Sequence, residues 1–394
     1  MRFAFVRPNK YSEWGGDLKA ILDLQEGLHA LGHSSFITQD PMSSLEANQI
    51  FFIGTLINRS ADYYFMHLMG RNYGCIAFHE DSLLYSGASY GFAYYVLGSL
   101  QERIEEGVSF SLDHLYQRPH LIFYYDRMRP INVLQNYEFL ERASSVVVSS
   151  LREQATLLRD VPSCNSQVVR WGAGHVRQMK ELPTEEFLRF TGLKKGNYIL
   201  QVGRFSTRKN QLATLLATKD LDIPLVFIAM DRCNQTYEEI VLASALKWRK
   251  APTLVISQHL SPSLSRGPLT ILPTPGGEIL SSSMLLSAFA HAGLHMHPAF
   301  YELPGYTYFE SARFGIPTIA SEWTSIREYF PDLDDRIEYA LPYDLPALRS
   351  LAEKKFGKIY PQFPLHPIYE RSSEEIARDF LSSCSSLGLC PKPR

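Results

Sequence analysis

The chain has 394 residues, with 39 Lys and Arg against 41 Asp and Glu, a formal net charge of −2. That balance argues against a nucleic-acid partner, because a phosphate backbone is gripped by a strongly basic surface. Hydrophobic residues at 45% and charged residues at 20% suit a folded globular chain rather than a disordered one, and the length suggests two domains.

Residues 3–6 read as a buried strand. Residues 17–31 carry Ile21, Leu24, Leu28 and Leu31 at three- and four-residue steps, which gives a helix one apolar face, and Gly32 is a natural stop. Further strands are expected at 35–38, 50–53, 75–78, 121–124 and 146–149, with helix over most of 85–116. Strands separated by helices, with little hairpin chemistry, argue for a parallel sheet covered on both faces. The pattern restarts after residues 167–171 and the loop Gly172-Ala173-Gly174. Strands at 198–202, 225–229, 253–256, 269–272, 294–297 and 318–320 then alternate with helices at 211–216, 237–248, 284–292 and 308–314. Ser372 and Glu375 have capping-box spacing and open a last helix through Leu381. The expected fold is α/β: two Rossmann-like doubly wound domains, residues 1–175 and 176–366, facing across a cleft. A C-terminal helix within 367–394 is expected to return to the first domain.

The five cysteines (Cys75, Cys164, Cys233, Cys384 and Cys390) are scattered and include no C-x-x-C pair. Neither a disulfide framework nor a structural zinc site is expected, and a reducing compartment is. The start MRFAFVRPNKYSEWGGD lacks the charged head and apolar core of a secretory signal. The apolar stretch 284–300 is interrupted by His291, His295 and His297 and is too short to span a bilayer. These features predict a cytoplasmic protein.

Ligands bind at the carboxyl ends of the strands in open α/β sheets, so chemistry is sought there. At one such end, Gly203 permits a tight turn and Arg204, Arg208 and Lys209 precede a helix beginning near Asn210. Strand, glycine, cations and helix start together suit a phosphate or pyrophosphate; a solvated basic loop is the plain alternative. At another, Glu302 follows a strand and Glu310 lies eight residues later on a helix, with Gly305 between them. Two carboxylates so placed can accept hydrogen bonds from sugar hydroxyls, and the glycine lets backbone N–H groups approach a ligand. The strand 75–78 delivers His79, Glu80 and Asp81 to the same side. A lone histidine at a strand end is often structural, but this placement favours a functional one. Tyr85, Tyr90, Phe92, Tyr94 and Tyr95 could stack on sugars, although core packing is the stronger reading.

Taken as a set, Gly203-Arg204, Lys209, Glu302 and Glu310 resemble the retaining GT-B-fold glycosyltransferases of the group 1, family 4 type. The helix continues Glu310-Ser311-Ala312-Arg313-Phe314-Gly315-Ile316-Pro317, which is similar to that family's glutamate helix leading into A-x-G-x-P. Residues 1–6 with Gly15-Gly16 resemble its opening strand and glycine loop, residues 143–149 its A-D-x-V strand, 168–172 the segment closing the first domain, and Glu328 the glutamate beyond the A-x-G-x-P strand. The resemblance implies that Arg204 and Lys209 hold the diphosphate of a nucleotide-sugar donor, so that no metal or other cofactor is required. It implies that Glu310 binds the ribose, that Glu302 and His79 lie near the reacting carbon, and that Gly203, Gly305, Gly15 and Gly16 approach the donor. The expected acceptor is a glycan or a lipid-linked glycan, with room for a peripheral membrane contact. Where the family has a glycine after its first glutamate this chain has Leu303, then Pro304, which bears on the identity of the sugar. Asp220-Leu221-Asp222 formally fits the D-x-D of metal-dependent transferases but precedes a strand instead of following one. No G-x-G-x-x-G follows the first strand, which weighs against a dinucleotide oxidoreductase. A sugar phosphorylase, an epimerase, or a non-catalytic carbohydrate-binding relative on the same fold are the alternatives.

Overall fold

The computed structural model describes residues 1–8, 16–55, 59–81, 84, 88–100, 136–172, 184–229, 235–257, 264–275, 280–303, 305–330, 336–358, 360 and 371–385. Two sheets organise them. The first holds β1 (Arg2–Val6), β2 (Ser34–Thr38), β3 (Gln49–Ile53), β4 (Gly74–Ile76), β5 (Ser145–Val148) and β6 (Ser166–Val168), in the order β2-β1-β3-β4-β5-β6. All of its pairings are parallel. The strand expected at 121–124 lies outside the described residues.

The second sheet holds β7 (Ile199–Val202), β8 (Leu225–Ala229), β9 (Thr253–Ser257), β10 (Leu264–Arg266), β11 (Leu269–Pro273), β12 (Leu294–His297), β13 (Thr318–Ser321) and β14 (Ile337–Ala340). Its order is β10-β11-β9-β8-β7-β12-β13-β14. It is parallel except at one edge, where β10 pairs antiparallel with β11. That hairpin departs from the expected pattern; its signal was the dipeptide Gly267-Pro268, with Gly267 at a φ of 53° in the left-handed region tight hairpin turns use. β14 was also unforeseen, because Ile337–Ala340 carries a glutamate and a tyrosine instead of a plain apolar run.

Strand order decides where a ligand can enter. From β7 the chain steps to β8 on one side and β12 lies on the other, so the loops leaving β7 and β12 diverge and open a crevice. The first sheet has the same switch between β1's neighbours, β2 and β3.

Helix α1 (Gly16–Ala30) buries Ile21, Leu24 and Leu28. It ends in a Schellman motif, with His33 N–H bonded to the Leu28 carbonyl at 2.9 Å and Gly32 at a φ of 80°. Short α2 (Pro41–Ser44) is capped by Asp40, and α3 (Ser60–Leu68) follows. Helix α4 (Tyr90–Ser99) stands between β4 and β5 in the chain, yet Tyr90, Ala93, Val96, Leu97 and Leu100 join the core of the second sheet beside Phe205, Leu212 and Tyr237. The aromatic run therefore divides: Tyr90 is buried and Phe92 packs on Phe300, while Tyr94 and Tyr95 are exposed. Helices α5 (Tyr137–Arg142) and α6 (Leu151–Asp160) follow on either side of β5 in the chain.

Around the second sheet lie α7 (Glu186–Thr191), α8 (Gln211–Ala217), α9 (Gln235–Trp248), α10 (Ser282–Ala290), α11 (Tyr306–Arg313) and α12 (Leu345–Lys355). The last helix, α13 (Ser373–Ser385), returns to the first sheet, where Ile376, Ala377, Phe380 and Cys384 share a core with Phe3, Phe5, Ile21 and Leu24. Ser372 opens it as a reciprocal cap with Glu375. No helix among the described residues is long and apolar enough to cross a membrane.

Gly27 makes the α1–α13 approach possible, since a methyl there would collide with the Ser373 carbonyl. Replacing a mid-helix glycine by alanine ordinarily gains roughly 0.5–1 kcal/mol. Here Gly27→Ala is expected to destabilise, measured as a lower urea midpoint; a raised midpoint would mean that α13 can shift without loss.

Candidate functional site

Two loops build the site. After β7, Gly203 has a φ of 151°, and its α-carbon side faces the His297 ring and the Lys209 stem. Ser206 then caps the 3-10 turn Thr207–Lys209, its hydroxyl accepting from the Lys209 N–H. Asn210, at a φ of 57°, is held in the left-handed region by its side-chain amide, which donates to the carbonyls of Pro298 (2.9 Å) and Pro342 (2.7 Å). The turn is thus tied to the loop after β12 before any side chain reaches the site.

That second loop carries Glu302. Its Oε2 accepts from Lys209 Nζ at 2.6 Å and Arg208 Nη1 at 3.1 Å. Burial alone would raise the Glu302 carboxyl, but Lys209 and Arg208 outweigh it and hold the group far below the carboxylate range. Burial pushes Lys209 down to about 8, against the opposing pull of Glu302. His297 Nε2 lies 3.9 Å from the same oxygen, beyond hydrogen-bond reach, and burial lowers the pKa of this imidazole.

Gly305, at a φ of 81°, starts α11, and a methyl there would come within 2.6 Å of Glu302 Cγ. The helix carries Glu310, which is 9% exposed. Opposite it stands the start of α1: a methyl on Gly16 would lie 3.4 Å from the Tyr306 ring. Lys19 Nζ is 5.7 Å from that ring's centre. Burial lowers the Lys19 pKa, opposed by Glu310. The structure therefore brings Gly203, Lys209, Glu302 and Gly305 into one cluster, with Arg204 in the same loop. Glu310 sits one helix turn further along, facing α1. Gly15 lies outside the described residues.

His79 is placed differently from the expectation that it faces a sugar. Its Nδ1 is 3.0 Å from Thr55 Oγ1 and its Nε2 is 2.9 Å from Asp160 Oδ2. A carboxylate only accepts, so Nε2 carries the proton facing it, and both ring nitrogens serve the first sheet's interior. The backbone of His79 bonds twice more, its N–H to Glu153 Oε1 at 2.6 Å and its carbonyl to the Tyr301 hydroxyl at 3.3 Å. Glu328, matched only by resemblance, accepts from the N–H groups of Leu151 and Arg152 at 2.8 Å, so it caps α6 from the other sheet. The D-x-D triplet is superficial: Asp220 pairs with Arg349 at 3.0 Å on an exposed surface. Sequence reasoning missed Lys19, which has no local signal. It also missed Glu153, although Ser150 three residues earlier marked a helix cap.

No protein-family model and no curated protein sequence matches the chain. Solved structures do match in shape. Sucrose-phosphate synthase from Thermosynechococcus elongatus superposes with a TM-score of 0.59 at 14% identity, covering 98% of this chain and 96% of that one. HepE from Anabaena, in complex with UDP and glucose, gives 0.55 at 13% identity, over 98% and 100%. WaaG, a glycosyltransferase involved in lipopolysaccharide biosynthesis, gives 0.54 at 11% identity over 100% of both. The chain has the GT-B fold. At these identities the likeness carries the fold alone, and the chemistry resides in the residues of the site.

The depressed carboxyl of Glu302 has a consequence for stability. A group lowered on folding stabilises fully above its ordinary value of 4.5, and the contribution is lost as pH falls toward the folded value. Glu302→Gln also takes the carboxylate partner from buried Lys209 and leaves Arg208 with Glu80 alone, so it should cost about 3 kcal/mol near neutrality. The gap from wild type should narrow below about pH 4.5 in urea melts. A gap constant with pH would show that the carboxylate's charge does not hold the cluster together.

Proposed function

We propose that the protein is a retaining, metal-independent glycosyltransferase, moving a sugar from a nucleoside-diphosphate sugar to a hydroxyl acceptor on a glycan or lipid-linked glycan. The observation that carries this reading is the convergence of Lys209 and Arg208 on Glu302 under Gly203, at the switch point between β7 and β12. Cations beside a carboxylate that can grip hydroxyls are what a sugar diphosphate presents complements to. The GT-B frame supports the reading, as do the UDP and glucose of the HepE complex.

In this reading Arg204 and Lys209 bind the diphosphate and stabilise the charge that grows on it, since oriented charge in a dry cleft is often the largest catalytic contribution. Glu302 accepts from hydroxyls of the donor sugar, and Glu310, with Lys19 across the gap, faces the ribose. Gly305 and Gly16 let the backbones of two helix starts approach the ligand. The bond from the anomeric carbon to the diphosphate oxygen breaks. The acceptor oxygen bonds to that carbon on the same face, and its proton passes to a phosphate oxygen. His79 acts as a buried positioning group, holding the corner after β4.

A thermal-shift panel with UDP, GDP, ADP and NAD, with and without EDTA, tests the reading. One nucleoside diphosphate at 100 times its Kd should stabilise by about 2.7 kcal/mol, unaffected by EDTA. Silence with every diphosphate would favour a non-catalytic relative, and a response to NAD alone an oxidoreductase.

Lys209 adds a pH signature. Its ammonium should begin to lose its proton as pH rises through about 8, so diphosphate affinity should weaken above that point by about tenfold per pH unit. Lys209→Arg, which stays charged, should flatten the profile in titration calorimetry. A wild-type affinity unchanged to about pH 9.5 would remove Lys209 from the diphosphate site.

A further inference from the structure

Arg208, in the β7 loop, reaches in three directions. Its Nη1 donates to Glu302 Oε2 and to the Tyr301 carbonyl, each at 3.1 Å. Its Nε lies 3.5 Å from Glu80 Oε1, and both side chains are nearly buried, so solvent screens the pair weakly. Its own carbonyl accepts from the Phe300 N–H at 2.8 Å.

Glu80 belongs to the first sheet's half of the molecule. It stands on the corner after β4, where Phe78 has a φ of 43°. A bulky residue in the left-handed region is strained and persists only where its surroundings hold it. Here they do: the Phe78 ring stacks on Trp171, Glu153 fixes the His79 N–H, and the Tyr301 hydroxyl reaches the His79 carbonyl. A few residues on, Ser89 Oγ donates to Thr207 Oγ1 at 3.1 Å. The corner after β4 thus meets both loops of the candidate site, and Arg208 is where they join.

The geometry points to Arg208 as a positioning residue through which Glu80, on the first-sheet corner, sets the Glu302 carboxylate. This rests on the transferase reading above. The guanidinium fork spans Glu80, the Tyr301 carbonyl and Glu302 Oε2, so closing the two halves together fixes the sugar-facing carboxylate. Without the Glu80 charge the fork loses its ion pair with the first-sheet corner. Glu302 then depends on Lys209, which the donor diphosphate also draws upon. Arg208 itself touches no substrate.

Glu80→Gln, close to isosteric, tests this with UDP and UDP-glucose as probes. The Kd for UDP should stay within about twofold, while the extra affinity conferred by the sugar, and kcat with it, falls about tenfold. In a Glu302→Gln background the same change should leave the sugar's share unaltered, because its target is gone. Arg208→Lys keeps the charge but not the fork and should reproduce the Glu80→Gln pattern. Hydrogen exchange of the 298–303 segment, measured without ligand, should accelerate about tenfold in Glu80→Gln. An equal loss of UDP affinity would place Arg208 on the diphosphate and overturn the inference. Losses that add in the double variant, or exchange that does not change, would overturn it too. A wild-type protein that binds no nucleoside diphosphate, with exchange accelerating as expected, would overturn the transferase reading alone and leave the clamp standing.

Discussion

The buried contact of Lys209 and Arg208 with Glu302 organises the second half of the molecule. The residues lie more than ninety positions apart, and they meet because β7 and β12 are neighbours at the point where strand order reverses. A buried carboxylate with two cations is costly to desolvate and adds little stability over well-packed apolar groups. Stability alone therefore does not explain the cluster. The scaffold around it is specified with care: Asn210 spends its amide on two proline carbonyls, and Gly305 makes room for the Glu302 stem.

The two sheets are also held to one another by specific polar contacts. Glu328 caps α6 across the gap, the Tyr329 hydroxyl donates to the Ser149 carbonyl at 2.8 Å, and Tyr301 reaches His79. Each contact ends on backbone, so its geometry depends on where the strands and helix end rather than on a mobile side chain. Helix α4 adds apolar weight to this joint by burying its inner face in the second sheet's core. The corner after β4 and the start of α4 thus both lie alongside the candidate site.

Much of this was legible in the sequence because strand and helix periods are local. The restart near residue 198, the turn at Gly203, Glu302 in the loop after β12 and Glu310 on α11 were all found from pattern. Less visible were features whose cause lies in tertiary contact. The residue string around His79 looked like a ligand-facing triplet, yet Thr55 and Asp160, one on each side, occupy its ring. Nothing local shows that Lys19 will face Glu310, because the gap between them is set by how α1 and α11 meet. The hairpin at β10 carried a Gly-Pro signal that the surrounding parallel pattern masked.

In the proposed reaction the charge balance of the cluster changes when a donor enters. A diphosphate brings more negative charge than one carboxylate, and it draws on the same Lys209. Since Arg208 is anchored toward Glu80 and the Tyr301 carbonyl, it can remain on Glu302 while Lys209 turns to the phosphates. The carboxylate then keeps a partner and stays ionised, which leaves both of its oxygens as acceptors for sugar hydroxyls. Two cations adjacent in sequence would thereby have separate duties. One follows the leaving group, and the other keeps the sugar-facing group in place against the pull of burial, which opposes the ionisation of Glu302.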